Sequence, residues 1–123
     1  MAKGSKTSVL VIDDDRAFAR GLQILLEDEG PCVVRTACSL AEAMNDLETT
    51  EVVNLILGDA AMLVGKGPLA RLRALRTRSE MEIVLLTTDP ELVAEHECRA
   101  LGVTRILPKP IDPEAVLELL NQV

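Results

Sequence analysis

The sequence predicts an α/β fold in which a parallel sheet is covered by helices on both faces. Three observations carry that expectation. Apolar runs and amphipathic segments alternate five times along the 123 residues. The runs are continuously apolar, the pattern of strands buried on both sides. The amphipathic segments open on helix-capping residues, and two of them close at glycine.

Taken in order, "SVLVI" at residues 8–12 reads as a buried strand. Asp15 can cap a helix from about Arg16 to Glu29, with Phe18, Leu22, Leu25 and Leu26 on one face and Gly30 as its stop. "CVVRTA" is a second, short strand. "SLAE", Ser39 to Glu42, matches a capping box that opens a helix to about Glu48. "VVNLILG" is the third strand, and the glycine-rich "VGKGP" leads into a helix from about Pro68 to Arg78. "EIVLLT" is the fourth strand. Asp89 and Pro90 supply an N-cap and a first-turn proline for a helix closed by Gly102. "TRIL" is the fifth strand, and Asp112 with Pro113 opens the last helix.

Composition narrows the class. Apolar residues make up 48%, enough for a core, so disorder is not expected. The net charge of −7 argues against direct nucleic-acid binding and leaves room for a cation site. Cys32, Cys38 and Cys98 show no CxxC spacing, so free thiols in a reducing cytoplasm are expected. "MAKGSKTS" runs into a strand-like stretch too short for a signal peptide, and no apolar run reaches the ~18 residues of a membrane span. One domain, 1–123 with a core of about 8–122, is the expected organisation.

In a parallel sheet the functional crevice lies at the carboxyl ends of the strands. Strand one ends in Asp13 and Asp14, strand three in Asp59, strand four in Thr87 and Thr88, and Lys109 follows strand five. Three converging carboxylates repel one another unless a cation answers them. Hard oxygen ligands of this kind suit Mg²⁺. A lysine and a hydroxyl beside them are groups wanted around a phosphoryl group, so an aspartate there could be phosphorylated.

From about Val9 to Leu120 the chain resembles the receiver domain of bacterial two-component response regulators. "VLVIDDD" is similar to that family's acidic-pair strand and "NLILGD" to the strand ending in the phosphoacceptor. "IVLLTT" is similar to the strand ending in the switch hydroxyl, and "ILPKP" to the Lys-Pro motif. The resemblance implies a flavodoxin-like (βα)5 three-layer sandwich with strand order 2-1-3-4-5. It implies Asp59 as phosphoacceptor, Thr87 closing on the phosphoryl group and Lys109 pairing with it. Mg²⁺ would be held by Asp14 and Asp59 directly, by Asp13 through water, and by the main-chain carbonyl of Ala61. The peptide between Lys109 and Pro110 would be cis.

Asp15 has no family role at the site and is assigned to helix capping. The implied partners are a histidine kinase or phosphotransfer protein, and an effector domain or second copy. They would meet the face of the fourth helix, fifth strand and fifth helix. No membrane contact is expected, and the chain is expected to be no turnover enzyme beyond slow self-dephosphorylation.

Departures from the family pattern fall near the site. Leu63 stands where a proline is usual, and Gly58 where a large apolar residue is common. Ile106 stands where an aromatic is usual, and Gly65 and Gly67 loosen the loop after Asp59. Met62 and Leu63 are expected to pack locally, and His96 to be an exposed helix residue. On the fourth helix Ala94, Cys98 and Leu101 are expected to face the sheet, with Leu92, Glu95, His96 and Arg99 outward.

Two other readings use the same residues. A pseudo-receiver would keep the fold as an interaction module without phosphorylation. A haloacid-dehalogenase-like phosphatase would use Asp13-x-Asp15 after the strand. That family's following threonine is Ala17 here, its later acidic pair is absent, and the chain is short for it.

Overall fold

A computed structural model of the chain describes residues 6–50, 52–64, 66–74, 81–89, 91, 99 and 102–122. Strands β1 (Thr7–Ile12), β2 (Cys32–Ala37), β3 (Leu55–Asp59), β4 (Glu82–Thr87) and β5 (Val103–Pro108) form one parallel sheet in the order β2-β1-β3-β4-β5. Helices α1 (Arg16–Glu29), α2 (Leu40–Thr49), α3 (Ala60–Leu63), α4 (Lys66–Ala74) and α5 (Pro113–Gln122) complete the described elements. The expected three-layer sandwich is therefore the fold.

The two-residue period of the strands sorts their side chains into two cores. Val9, Val11, Leu55, Leu57, Val84 and Leu86 meet Ala19, Leu22 and Leu26 of α1 and Val116 and Leu119 of α5. Leu10, Ile12, Ile56, Ile83 and Leu85 meet Ala43 and Leu47 of α2, Leu63 of α3 and Leu72 of α4. Both faces are covered over β1, β3 and β4, which is why those runs read as continuous, whereas edge strands β2 and β5 carry Arg35, Thr36, Thr104 and Arg105 among their apolar residues.

Local signals placed the helix starts. The Asp15 carboxylate accepts the N–H of Phe18 at 3.0 Å, and the Ser39 hydroxyl accepts that of Glu42 at 3.1 Å. Glu42 reaches back to the N–H of Cys38 at 3.4 Å rather than to that of Ser39. Phe18 and Leu25 are half-buried against the inner core, and Ala19 joins Leu22 and Leu26 on the α1 face.

Other boundaries differ from the expectation. The third strand begins at Leu55 rather than Val52. Asn54 intervenes: its side-chain oxygen accepts the N–H of Ser8 at 2.8 Å, and its main chain bonds Ser8 and Glu82. Gly30 ends α1 in extended backbone, with φ −171°, not in the left-handed conformation of a glycine cap. Gly102 does take that conformation, with φ 92°, and its N–H donates to the carbonyl of Arg99 at 3.0 Å. The segment after Asp59, expected as loop, starts with the four-residue helix α3, and α4 begins at Lys66, two residues before Pro68.

Of the fourth predicted helix only Glu91 and Arg99 are described, and Arg99 is exposed as expected; Leu92, Ala94, Glu95, His96, Cys98 and Leu101 lie outside the described residues. So does the end of the third, residues 75–78. Cys32 and Cys38 are free thiols. Among the described residues, no helix is long and apolar enough to cross a membrane.

Candidate functional site

Sheet register brings the expected residues together. Ile12 pairs with Gly58, Gly58 with Leu85, and Leu85 with Ile106. One residue further along, Asp13 follows β1 while Asp59 still pairs with Leu86. One more step reaches Thr87, which pairs with Pro108, and Lys109 comes next. Residues distant in sequence thus end on adjacent rungs of one sheet edge.

The three consecutive aspartates divide their work. Asp13 is 2% exposed; its N–H donates to the carbonyl of Ala37, continuing the β1–β2 ladder. One of its carboxylate oxygens accepts the N–H of Asp15 at 2.9 Å, and the other accepts Lys109 Nζ at 2.7 Å. Asp14 is exposed at the mouth of the site, and Asp15 caps α1. Like-charge repulsion within the triplet is thereby met by a buried ion pair, a solvated carboxylate and a helix N-terminus.

Asp59 lies opposite. Its Oδ1 accepts Lys109 Nζ at 2.9 Å, so the lysine bridges Asp13 and Asp59. Each of Asp13, Asp14 and Asp59 offers a carboxylate oxygen within 4.8 Å of the others. The site therefore holds three carboxylates and one ammonium, an excess of negative charge.

Burial of Lys109 favours its neutral form, but its hydrogen bonds to Asp13 and Asp59, helped by their charges, outweigh this. They hold the ammonium's pKa above the ordinary lysine value. The Phe18 ring adds to that cage, with Nζ 4.5 Å from its centroid.

Thr87 is buried at the end of β4. Its main-chain carbonyl accepts the N–H of Lys109 at 2.7 Å, and its hydroxyl oxygen accepts the N–H of Asp89 at 3.0 Å. The latter bond uses a lone pair and leaves the hydroxyl proton for another acceptor. The Lys109–Pro110 peptide is cis. Ala61 is exposed in α3, two residues past Asp59.

The donor set fits a hard divalent cation. It supplies carboxylates only, clustered, with Asp14 open to solvent. Both Asp13 oxygens already accept protein donors, which suits contact through water better than direct ligation.

Two contacts lie outside what strand ends reveal. Phe18, on the inner face of α1, also covers Lys109. Its being the sole aromatic, three residues from a cap beside the acidic pair, was the available signal. Gly58 and Leu63 were noted separately, yet they touch: a Cβ built on Gly58 would overlap the Leu63 side chain.

Residues 9–121 match the family model described as "Response regulator receiver domain". The chain is 32% identical to Protein PetR of Rhodobacter capsulatus over all of its own length, and spans about half (51%) of PetR's. A solved signal receiver domain of an HD domain-containing protein from Pseudomonas fluorescens Pf-5 superposes with a TM-score of 0.81 at 28% identity, covering 96% of this chain and 94% of that one. A response regulator protein from Burkholderia pseudomallei, solved with a phosphorylated aspartic acid, calcium ion and citrate, gives a TM-score of 0.77 at 27% identity. That match covers 94% of this chain and 66% of the other. Sheet order, the acidic strand ends and the family match over nearly all of the sequence agree, and this chain belongs to the response regulator receiver domain family.

Proposed function

We propose that this chain accepts a phosphoryl group on Asp59 and signals by the resulting change at the end of β4. The observation that carries the reading is Lys109 Nζ bridging Asp13 and Asp59 at 2.7 and 2.9 Å within a cluster that keeps excess negative charge.

The donor would be a phosphohistidine on a histidine kinase or phosphotransfer protein. An Asp59 carboxylate oxygen attacks phosphorus, the P–N bond breaks, and its electron pair leaves on the imidazole, which takes up a proton. Lys109, already against Asp59, offers its ammonium to the phosphoryl oxygens. Thr87 contributes its hydroxyl proton, and closing on the phosphoryl group would strain its bond from Asp89. Mg²⁺ would be held by Asp14 and Asp59, by Asp13 through water, and by the Ala61 carbonyl. When bound it would neutralise charge on the phosphoryl oxygens.

The phosphorylated aspartate and bound calcium of the Burkholderia pseudomallei relative support this chemistry for the family. The pseudo-receiver reading is disfavoured because Asp13, Asp14, Asp59, Thr87 and Lys109 stand together at one sheet edge. The phosphatase reading loses its second carboxylate, since Asp15 is engaged in capping α1.

The output partner would be an effector domain or a second copy of the chain, reading the face that includes β5 and α5. There Ile106 is half-buried against the core and Arg105 pairs with Glu118 at 3.6 Å. A cytoplasmic setting and a single domain over 1–123 belong to the same proposal.

The test is incubation with acetyl phosphate and Mg²⁺ followed by intact-mass measurement. One phosphoryl group should be added, and Asp59→Asn should abolish the addition. Undiminished labelling of Asp59→Asn would refute the assignment.

A further inference from the structure

Asp59 is both the last residue of β3 and the N-cap of α3. An aspartate there ordinarily accepts an N–H from the first helical turn. Asp59 makes no such bond; its carboxylate goes to Lys109 instead. The short helix is thus denied its side-chain cap; at its other end the N–H of Val64 donates to the carbonyl of Ala60 at 2.8 Å. A single turn is not stable by itself.

Something else must hold α3, and the packing shows what. Leu63, its last residue, is fully buried among the core residues. Its side chain enters the space that a Cβ at position 58 would occupy. Gly58 immediately precedes Asp59 on the strand, so Leu63 folds the turn back onto the residue beside the acceptor. A proline or polar residue could not fill that notch by burying a branched apolar end.

We propose that Leu63, seated in the notch at Gly58, is a positioning residue for Asp59. By anchoring α3 through burial it leaves the Asp59 carboxylate free of helix capping and turned to Lys109. The inference rests on the phosphoacceptor reading only for its consequence in labelling; the anchoring itself is a statement about the free protein.

The experiment has two arms, both run where each variant is fully folded by circular dichroism. In the first, amide NMR spectra are recorded without Mg²⁺. Leu63→Ala should shift the Ala61 and Met62 amides as Asp59 turns to cap them, while Leu63→Met should leave them near their wild-type positions. In the second, labelling by acetyl phosphate should slow about fivefold or more in Leu63→Ala and stay within about twofold in Leu63→Met. Gly58→Ala should slow labelling as well by evicting Leu63, and adding Leu63→Ala to it should slow labelling little further, because both changes break the same contact. If Leu63→Ala does not fold, Leu63→Val takes its place under the same criteria.

Unshifted amides with wild-type labelling in folded Leu63→Ala would overturn the proposal, as would a double variant in which the two single losses multiply. A wild type that takes no label would sink the phosphoacceptor reading and leave the amide arm to decide the anchor.

Discussion

Two ion-pair networks lie at different places on the same sheet, and they are balanced differently. Arg35 of β2 holds Asp46 of α2 through two bonds, at 2.6 and 3.0 Å, and reaches the Ser8 hydroxyl at 3.0 Å. Ser8 in turn donates its N–H to Asn54. That network has one cation and one anion, with the donors matched to acceptors. At the carboxyl edge, one lysine faces Asp13, Asp14 and Asp59. The first arrangement is closed and ties β1, β2, α2 and the entry to β3 together. The second is left short of positive charge, which stability alone would not favour. A charge excess held by a rigid sheet is a site prepared for something that arrives.

The largest expected effect sharpens the division within the aspartate triplet. Asp14→Ala should weaken Mg²⁺ binding by about tenfold or more, read from amide shifts on titration. Asp15→Ala should leave that affinity nearly unchanged and cost ~1 kcal/mol of stability through the lost cap. Equal losses of affinity would mean the roles of the two residues are misassigned.

A smaller effect breaks or supports the comparison itself. Asp46→Asn removes the charge from a half-buried, bidentate partner of Arg35 and should destabilise the protein by about 1 kcal/mol. Asp14→Asn removes one of three crowded charges and should raise the melting temperature measured without Mg²⁺, by a few degrees at most. Destabilisation by both would show that the carboxyl edge carries no charge excess worth relieving.

The smallest effect is seen at alkaline pH. The pKa of Lys109 is raised on folding, so its contribution to stability is fully present below the ordinary value of 10.5. It is lost as pH rises through the higher folded value. The gap in melting temperature between wild type and Lys109→Gln should therefore narrow above pH 10.5. The gap for Arg35→Gln should not narrow in that way, because arginine keeps its charge there. A constant Lys109 gap would contradict the bridging geometry.

The receiver match extends over nearly all of the chain, while about half of PetR lies beyond it. Half-buried Ile106 is one described residue of the face proposed for an output partner.

The five strands, the starts of α1 and α2 and the residues that end each strand were legible in the sequence because near neighbours decide them. Continuous apolar runs require burial on both faces, and Asp15 and Ser39 cap because their side chains reach N–H groups three residues on. The motifs at the strand ends were legible too, through a resemblance covering four elements in order.

What lay beyond the sequence depended on pairs far apart in the chain. That Lys109 bridges Asp13, 96 positions away, and Asp59, 50 away, follows from register between strands. Phe18 covers Lys109 only because α1 packs where it does. Helix α3 gave no periodic signal because four residues make only one turn, and the contact of Leu63 with Gly58 that accompanies it is not local to that turn. Local chemistry wrote the elements and their caps; packing and register decided which charges meet, and so where the site is.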